Sequence, residues 1–251
     1  MKKVALMVSI ILVLSSLAYG ARPQGGASIQ NTDALKQEIL NTQKAYSNVK
    51  DYTAILYKQE WIDGEMKPME TIFMKFRERP FSVYMKWIKN PYKNQEVIFV
   101  KGWNKNRIKV HKGSFPDITM NLDPLGRLAM KGNRHSVLEA GIGNIVRSAM
   151  DDLQWSEKHP EAGFKLSDCG QHDLYGTMTH CIEVVRPVKR KPDDYANRIK
   201  MYIDTSTGLP VGIQIWDYKG IFVENYAFTN LKLNVGLADK DFSPDNPDYN
   251  F

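Results

Sequence analysis

The stretch "YTAILYKQEWIDGEMKPMETIFMKFRERPFSVYMKWIKN", Tyr52 to Asn90, decides the fold. It reads as three β-strands, at Tyr52–Ile62, Met69–Arg79 and Phe81–Ile88. The "DGE" at Asp63–Glu65 is a hairpin turn, and Pro80 suits a bend or a strand start better than a central ladder position. A sheet with one face in water alternates apolar and polar residues cleanly. These strands do not. The first has Ile55, Tyr57 and Trp61 on one parity and Ala54, Leu56 and Ile62 on the other. The second has Ile72, Met74 and Phe76 against Thr71 and Phe73. In the third, Phe81, Val83, Met85 and Trp87 form an apolar stripe, while Ser82, Tyr84, Lys86 and Ile88 between them are mixed. Parts of both faces need cover.

The same pattern continues outward. Turns at "NPYKN" and "GWNKN" separate strands over 96–101 and 107–111, with "ITMNL" and "LGRLAM" as short strands beyond. The last third predicts strands over 164–167, 180–187, 197–204, 210–218 and 221–231, the last with Ile221, Val223 and Ala227 opposed to Phe222, Tyr226 and Phe228. Connections are short, so the sheet is antiparallel and meandering. Leu35, Ile39, Tyr46 and Val49 recur at helical spacing and predict a helix over 32–49, capped by Asn31 or Thr32. A second helix starts within "RHSVLEAGIGNIVRSAMDDL", where Ser136 and Glu139 have capping-box spacing and Leu138, Ile142, Ile145, Ala149 and Leu153 make a stripe. Gly141 and Gly143 in its first turns cost about 1 kcal/mol each relative to alanine. They serve close helix packing, or they make the helix easy to shift as a lid.

Two helices cannot cover both sides of a sheet of about ten strands. A sheet that large curls and turns one apolar face inward. The fold class is therefore α+β, a strongly curved antiparallel sheet forming an open half-barrel, with helices plugging the concave face. Whatever the helices leave unfilled is an apolar cavity. The competing reading is a barrel packed solid by its own side chains, and periodicity does not separate the two.

The 251 residues carry a formal net charge of +6, with 43% hydrophobic and 25% charged residues, ordinary values for a globular chain. Lys2 and Lys3, the apolar run Val4–Leu17 and the small-residue site Ala18-Tyr19-Gly20 predict a secretory signal peptide over 1–20. A retained membrane anchor is the rival reading, and the short apolar run favours cleavage. Residues 21–31 read as a flexible leader and 32–251 as a single domain. No Cys follows the predicted cut, so no acceptor for a bacterial lipid anchor is expected, and the destination is the periplasm. An exported compartment oxidises the only two cysteines, Cys169 and Cys181, which close the loop "CGQHDLYGTMTHC". Free thiols or a metal site with His172 and His180 are the alternatives, although the spacing matches no standard zinc module.

Catalytic motifs are lacking: there is no G-x-S-x-G, H-E-x-x-H, P-loop or dinucleotide fingerprint. The five histidines are scattered. Glu60, Lys75, Arg77 and Glu78 lie on neighbouring predicted strands and could form a cross-strand ionic cluster; a glycosidase-like use of these carboxylates is the weakest reading. Lys75, Arg77, Arg79, Lys86 and Lys89 lie near aromatics, but export argues against nucleic acid. A basic rim facing anionic lipid or plain solvated edge charges fit better.

The phrases "DYTAILYKQEWIDGEMKPMETIFMKFRERPFSVYMKW", "EAGIGNIV", "DTSTGLPV" and "LNVGLADKDFSPDNPDYNF" together resemble the bacterial exported family called domain of unknown function 1571. That family is grouped loosely with the LolA/LolB-like superfamily of lipoprotein carriers. The resemblance implies a LolA-like open half-barrel whose apolar concave side is partly plugged by helices. It also implies a periplasmic carrier or binding protein for the acyl chain of a lipid or lipoprotein, with no cofactor, no metal and no catalytic residue. The open cavity gains support from it. The candidate groove residues are Phe73, Phe81, Val83, Met85 and Trp87, with Ile142 and Ile145 as the plug and Arg77 and Arg79 as the rim. Arg77 is a counterpart of the carrier's lid-locking arginine by strand position only. The closing phrase and the Cys169–Cys181 pair match no carrier motif. The alternative is an envelope structural or sensory protein that binds another protein through a solidly packed barrel.

Overall fold

Why the chain needs so much apolar surface on its strands is visible in how they pair. The computed structural model describes residues 32–251. The predicted signal peptide, the leader and the Asn31 cap lie outside them. The strands are β1 (Asp51–Ile62), β2 (Glu65–Met66), β3 (Glu70–Arg77), β4 (Ser82–Trp87), β5 (Glu96–Val100), β6 (Ile108–His111) and β7 (Thr119–Leu122), followed by β8 (Lys165–Leu174), β9 (Thr177–Val185), β10 (Ala196–Asp204), β11 (Pro210–Asp217) and β12 (Phe222–Leu233). All pairings are antiparallel, in the order β7-β6-β5-β4-β3-β1-β12-β11-β10-β9-β8, with β2 added to β1. Two meanders therefore run outward from a central seam where the first long strand pairs with the last. In that seam Tyr57 faces Ala227 and Glu60 faces Glu224. The sheet is an open, strongly curved half-barrel.

Three helices accompany it: α1 (Thr32–Tyr46), α2 (Arg127–Met130) and α3 (Ile142–Lys158). The first ends three residues short of the predicted 32–49, although Val49 is still buried. The "LGRLAM" segment, expected as a strand, forms α2 over Arg127–Met130 instead.

The second predicted helix is split. Ser136 Oγ accepts from the Leu138 N–H and caps only a single 3₁₀ turn, Val137–Glu139. Gly141 then takes φ +98°, and α3 begins at Ile142. A Cβ on Gly141 would stand 2.7 Å from Phe76 Cε2 and 2.9 Å from the Tyr52 hydroxyl, and one on Gly143 would stand 2.4 Å from the Tyr46 hydroxyl. Close packing, the first of the two readings of these glycines, describes both. The Tyr52 hydroxyl also accepts from the Ile142 N–H at 3.0 Å, satisfying a donor at the start of α3.

The outer, convex face has its own cover. Residues after β12 fold back over β3–β5, where Tyr249 stacks on Tyr84 at 3.9 Å. Phe242 is buried against Tyr84 and Ile98, with Phe73, Val100 and Phe251 beside them. Lys75 pairs with Asp241 at 2.7 Å, Arg77 with Asp239 at 2.8 Å, and Asn250 Nδ2 donates to the buried Glu96 at 2.6 Å. The closing phrase is thus a strap, and it accounts for the second apolar parity of β3–β5. On β1, Tyr175 from the β8–β9 turn stacks on Tyr57 at 4.2 Å.

The β8–β9 hairpin carries a Cys169–Cys181 disulfide, with Cα atoms 5.0 Å apart. The register slips between Asp168 and Gly170, so Cys169 is the extra residue of a bulge and Cys181 faces it from β9.

Candidate functional site

The concave side is packed solid at one end and hollow at the other. The packed base lies where β1 begins and β3 ends. There Tyr52 stacks on Phe76 with 4.9 Å between ring centres, and Phe81 meets Phe76 edge-on at 5.4 Å and Phe99 at 5.9 Å. Val83 and Ile142 are fully buried in the same core. Toward the opposite ends of the strands lies a cavity of about 1010 Å³. Its sheet wall includes Leu56, Ile72, Met85, Trp87, Val110 and Ile213. Its helical wall comes from α3, where Ile145, Ala149 and Leu153 recur at helical spacing, with Ile39 of α1.

The expected groove residues divide accordingly. Met85, Trp87 and Ile145 line the cavity. Phe81, Val83 and Ile142 point to the same side but lie in the packed base. The β4 stripe thus serves both purposes along its length. Phe73 is on the outer face, because its parity in β3 is opposite to that of Ile72, and it packs under the strap. The expected rim is also displaced. Arg77 shares the outward parity of Phe73; its guanidinium donates to Asp239 and Ser82 and lies 4.9 Å from the Phe242 ring. Arg79 is exposed in the β3–β4 turn, at the end away from the mouth.

The proposed cluster of Glu60, Lys75, Arg77 and Glu78 does not form, since its members fall on different faces and ends. Glu78 accepts from the Tyr46 hydroxyl at 2.7 Å near the base. Glu60 belongs to a different network that crosses the cavity near the mouth. Its carboxylate accepts from the Tyr226 hydroxyl and, at 3.1 Å, from the Arg134 backbone N–H, with Lys58 Nζ at 3.3 Å. Lys58 also reaches Glu70 at 3.3 Å and the Asn133 side-chain Oδ1 at 2.6 Å, and Glu70 accepts from the Trp87 indole at 2.5 Å. Glu224, nearly fully buried, accepts from Arg134 Nε at 2.9 Å and from the Tyr195 hydroxyl, and lies 3.1 Å from His135 Nε2. The Arg134 guanidinium lies 4.2 Å from the Tyr195 ring. Together these contacts fasten residues 133–135, in the connection from α2 to α3, across the β1–β12 seam.

Burial opposes a charge on His135, but hydrogen bonds to Glu139 and Glu224 outweigh it and hold the imidazole up at about 10. Burial likewise opposes the charge on Glu224, yet His135, Tyr195 and Arg134 keep its carboxyl below the ordinary value. Burial pushes the Tyr195 and Tyr226 hydroxyls up, and the neighbouring carboxylates add to it. A second buried network lines the cavity beside the first: Arg186 pairs with Asp152 and with Asp194 at 3.4 Å, and Arg190 with the same two at 2.7 and 3.3 Å. Burial raises Asp152 even so, against the pull of both arginines. These carboxylates are tied to cations and donors within the fold, and the first network holds residues 133–135 in place. Among the described residues, no group of three His, Cys, Asp or Glu side chains is placed to hold a metal ion, and no helix is long and apolar enough to cross a membrane.

Sequence reasoning missed this polar layer. Its signal was present: Lys58 and Glu60 continue the parity of Ala54 and Leu56, and Glu224 interrupts the parity of Phe222, Tyr226 and Phe228. Charges on an inward apolar stripe mark a place where the interior is polar.

Residues 49–251 match the family described as "Protein of unknown function (DUF1571)". The chain belongs to the DUF1571 family. Among solved structures, this DUF1571 chain is similar to the lipoprotein LppX of Mycobacterium tuberculosis, with a TM-score of 0.50 and 15% identity over 82% of this chain and 98% of that one. It is also similar to LprF from Mycobacterium bovis (TM-score 0.44, 12% identity, 80% and 94% covered). A third is the MucA/MucB complex of Pseudomonas aeruginosa (TM-score 0.45, 14% identity, 84% and 60% covered). At such identities the likeness is one of fold. Among curated proteins no sequence match is found.

Proposed function

We propose that this DUF1571 protein is a periplasmic binding or carrier protein that holds an acyl chain of a lipid or lipoprotein in its cavity, by burial and without turnover or cofactor. One observation carries the reading: a hollow of about 1010 Å³, walled by aliphatic and aromatic side chains, stands open above a solid base. Ligand pockets commonly occupy about 300–1,000 Å³. Each buried CH₂ contributes about 0.8 kcal/mol, so a chain of modest length binds firmly yet reversibly. The ion networks near the mouth would meet the polar head and keep the chain's other end in the apolar part. The predicted export signal and the disulfide suit an oxidising envelope compartment. The hollow favours this reading over a barrel packed solid whose outer face binds an envelope protein.

A fluorescent fatty acid titrated into purified protein tests it. Wild type should bind saturably. Ala149→Trp, which sets an indole inside the hollow, should abolish binding while the far-UV circular dichroism stays native. Absence of binding by wild type, or equal binding by the filled variant, would sink the proposal.

A further inference from the structure

The geometry points to a second property of the mouth: the collar around it docks on an anionic lipid bilayer. The exposed residues lining the cavity at its opening are of two kinds. Tyr92, in the β4–β5 turn, is 58% exposed, and Leu128, on α2, is 63% exposed, although both touch the cavity. Phe115 stands 96% exposed in the β6–β7 turn, whose Lys112 also lines the mouth and donates to the Phe115 carbonyl at 3.2 Å. Large apolar side chains exposed singly are common on soluble proteins. Here three gather on separate segments, two turns and the short α2, around one opening.

Charge selects the partner. Four lysines, Lys67, Lys112, Lys131 and Lys191, line the cavity around its mouth against three exposed carboxylates, Asp63, Glu139 and Asp193, of which Glu139 is paired with His135. Lys67 pairs with Glu65 at 2.5 Å and Lys191 with Asp193 at 3.3 Å. Lys112 and Lys131 have no carboxylate partner among the described residues. Apolar side chains that can enter the headgroup layer, interleaved with unpaired lysines, match a bilayer bearing negative headgroups. Docked this way, the cavity mouth faces the membrane. The docking goes beyond cavity binding and can fail while that binding holds.

Sedimentation with lipid vesicles tests the collar. Purified protein should co-sediment with vesicles of equimolar phosphatidylcholine and phosphatidylglycerol, less with phosphatidylcholine alone, and less as salt is raised. Phe115→Ser should weaken sedimentation yet keep fatty-acid binding in free solution, because Phe115 lies outside the cavity wall. Replacing Lys112 and Lys131 together by Glu should weaken it by more than about fivefold per residue, since each loses an attraction and adds a repulsion. The cavity-filled Ala149→Trp protein should sediment like wild type. Wild type remaining in the supernatant with the mixed vesicles would overturn the proposal. So would collar variants that sediment undiminished, or loss of sedimentation on filling the cavity alone.

Discussion

Gly141 shows how one position sets where a helix begins. Its φ of +98° lies where side chains are strained, and its missing Cβ leaves the room that Phe76 and the Tyr52 hydroxyl occupy. Gly141→Ala should therefore cost about 2–4 kcal/mol, from backbone strain and overpacking together, read as a lower urea midpoint. A change below about 0.5 kcal/mol would show that the base yields easily. His135 makes a prediction of opposite kind, about pH. Its folded value is raised to about 10 from an ordinary 6.5 by Glu139 and Glu224 against the effect of burial, so the native state binds the proton more tightly than the unfolded chain. The stability this adds is complete below pH 6.5 and is lost as pH rises through about 10. Melting temperature should fall across that window in wild type and fall less steeply in His135→Gln. Equal slopes would mean that the Glu139–His135–Glu224 contacts add nothing. His135 drew no attention in the sequence because its partners lie 4 and 89 residues away, and only the second of these crosses the seam.

At the scale of elements, the strap and the β4 stripe explain what was legible and what was not. The strand pattern could be read because apolar side chains recur with period two, and their excess on both parities correctly demanded cover on two faces. It could not say which cover went where. Phe73 and Met74 are neighbours of similar character, yet one lies under the strap and the other in the concave core. That assignment depends on residues 237–251, more than 160 positions further along the chain. Likewise Phe81 and Met85 belong to one stripe, and their different surroundings depend on how far α3 and the base aromatics fill the interior. Deleting residues 237–251 should expose Phe73, Tyr84 and Ile98 together and remove the carboxylates paired with Lys75 and Arg77. Lower thermal stability and dye binding to exposed apolar surface are expected, and a truncated protein as stable and soluble as the full chain would contradict the strap's role. The disulfide acts more locally. Closing a loop of this length contributes on the order of 3 kcal/mol, so Cys169→Ser with Cys181→Ser should lower the urea midpoint accordingly while leaving the distant cavity intact.

At the scale of the whole molecule, the half-barrel resolves the choice between hollow and solid by being each at one end. The central β1–β12 pairing brings Glu60 and Glu224 face to face, and the connection from α2 to α3 is fastened over them, so the hollow has a polar layer near its mouth and an apolar interior beneath. The inward charges Lys58, Glu60 and Glu224 mark a polar interior in the sequence, but their partners come from four strands and a connecting segment, so which groups close the layer was not legible. The central claim is that the hollow exists to be filled by an acyl chain. Native mass spectrometry of the protein purified from the cells that make it decides the matter. A bound mass matching a lipid or fatty acid is expected, absent from Ala149→Trp purified in the same way. A ligand-free mass for wild type, together with no uptake of a fluorescent fatty acid, would contradict it.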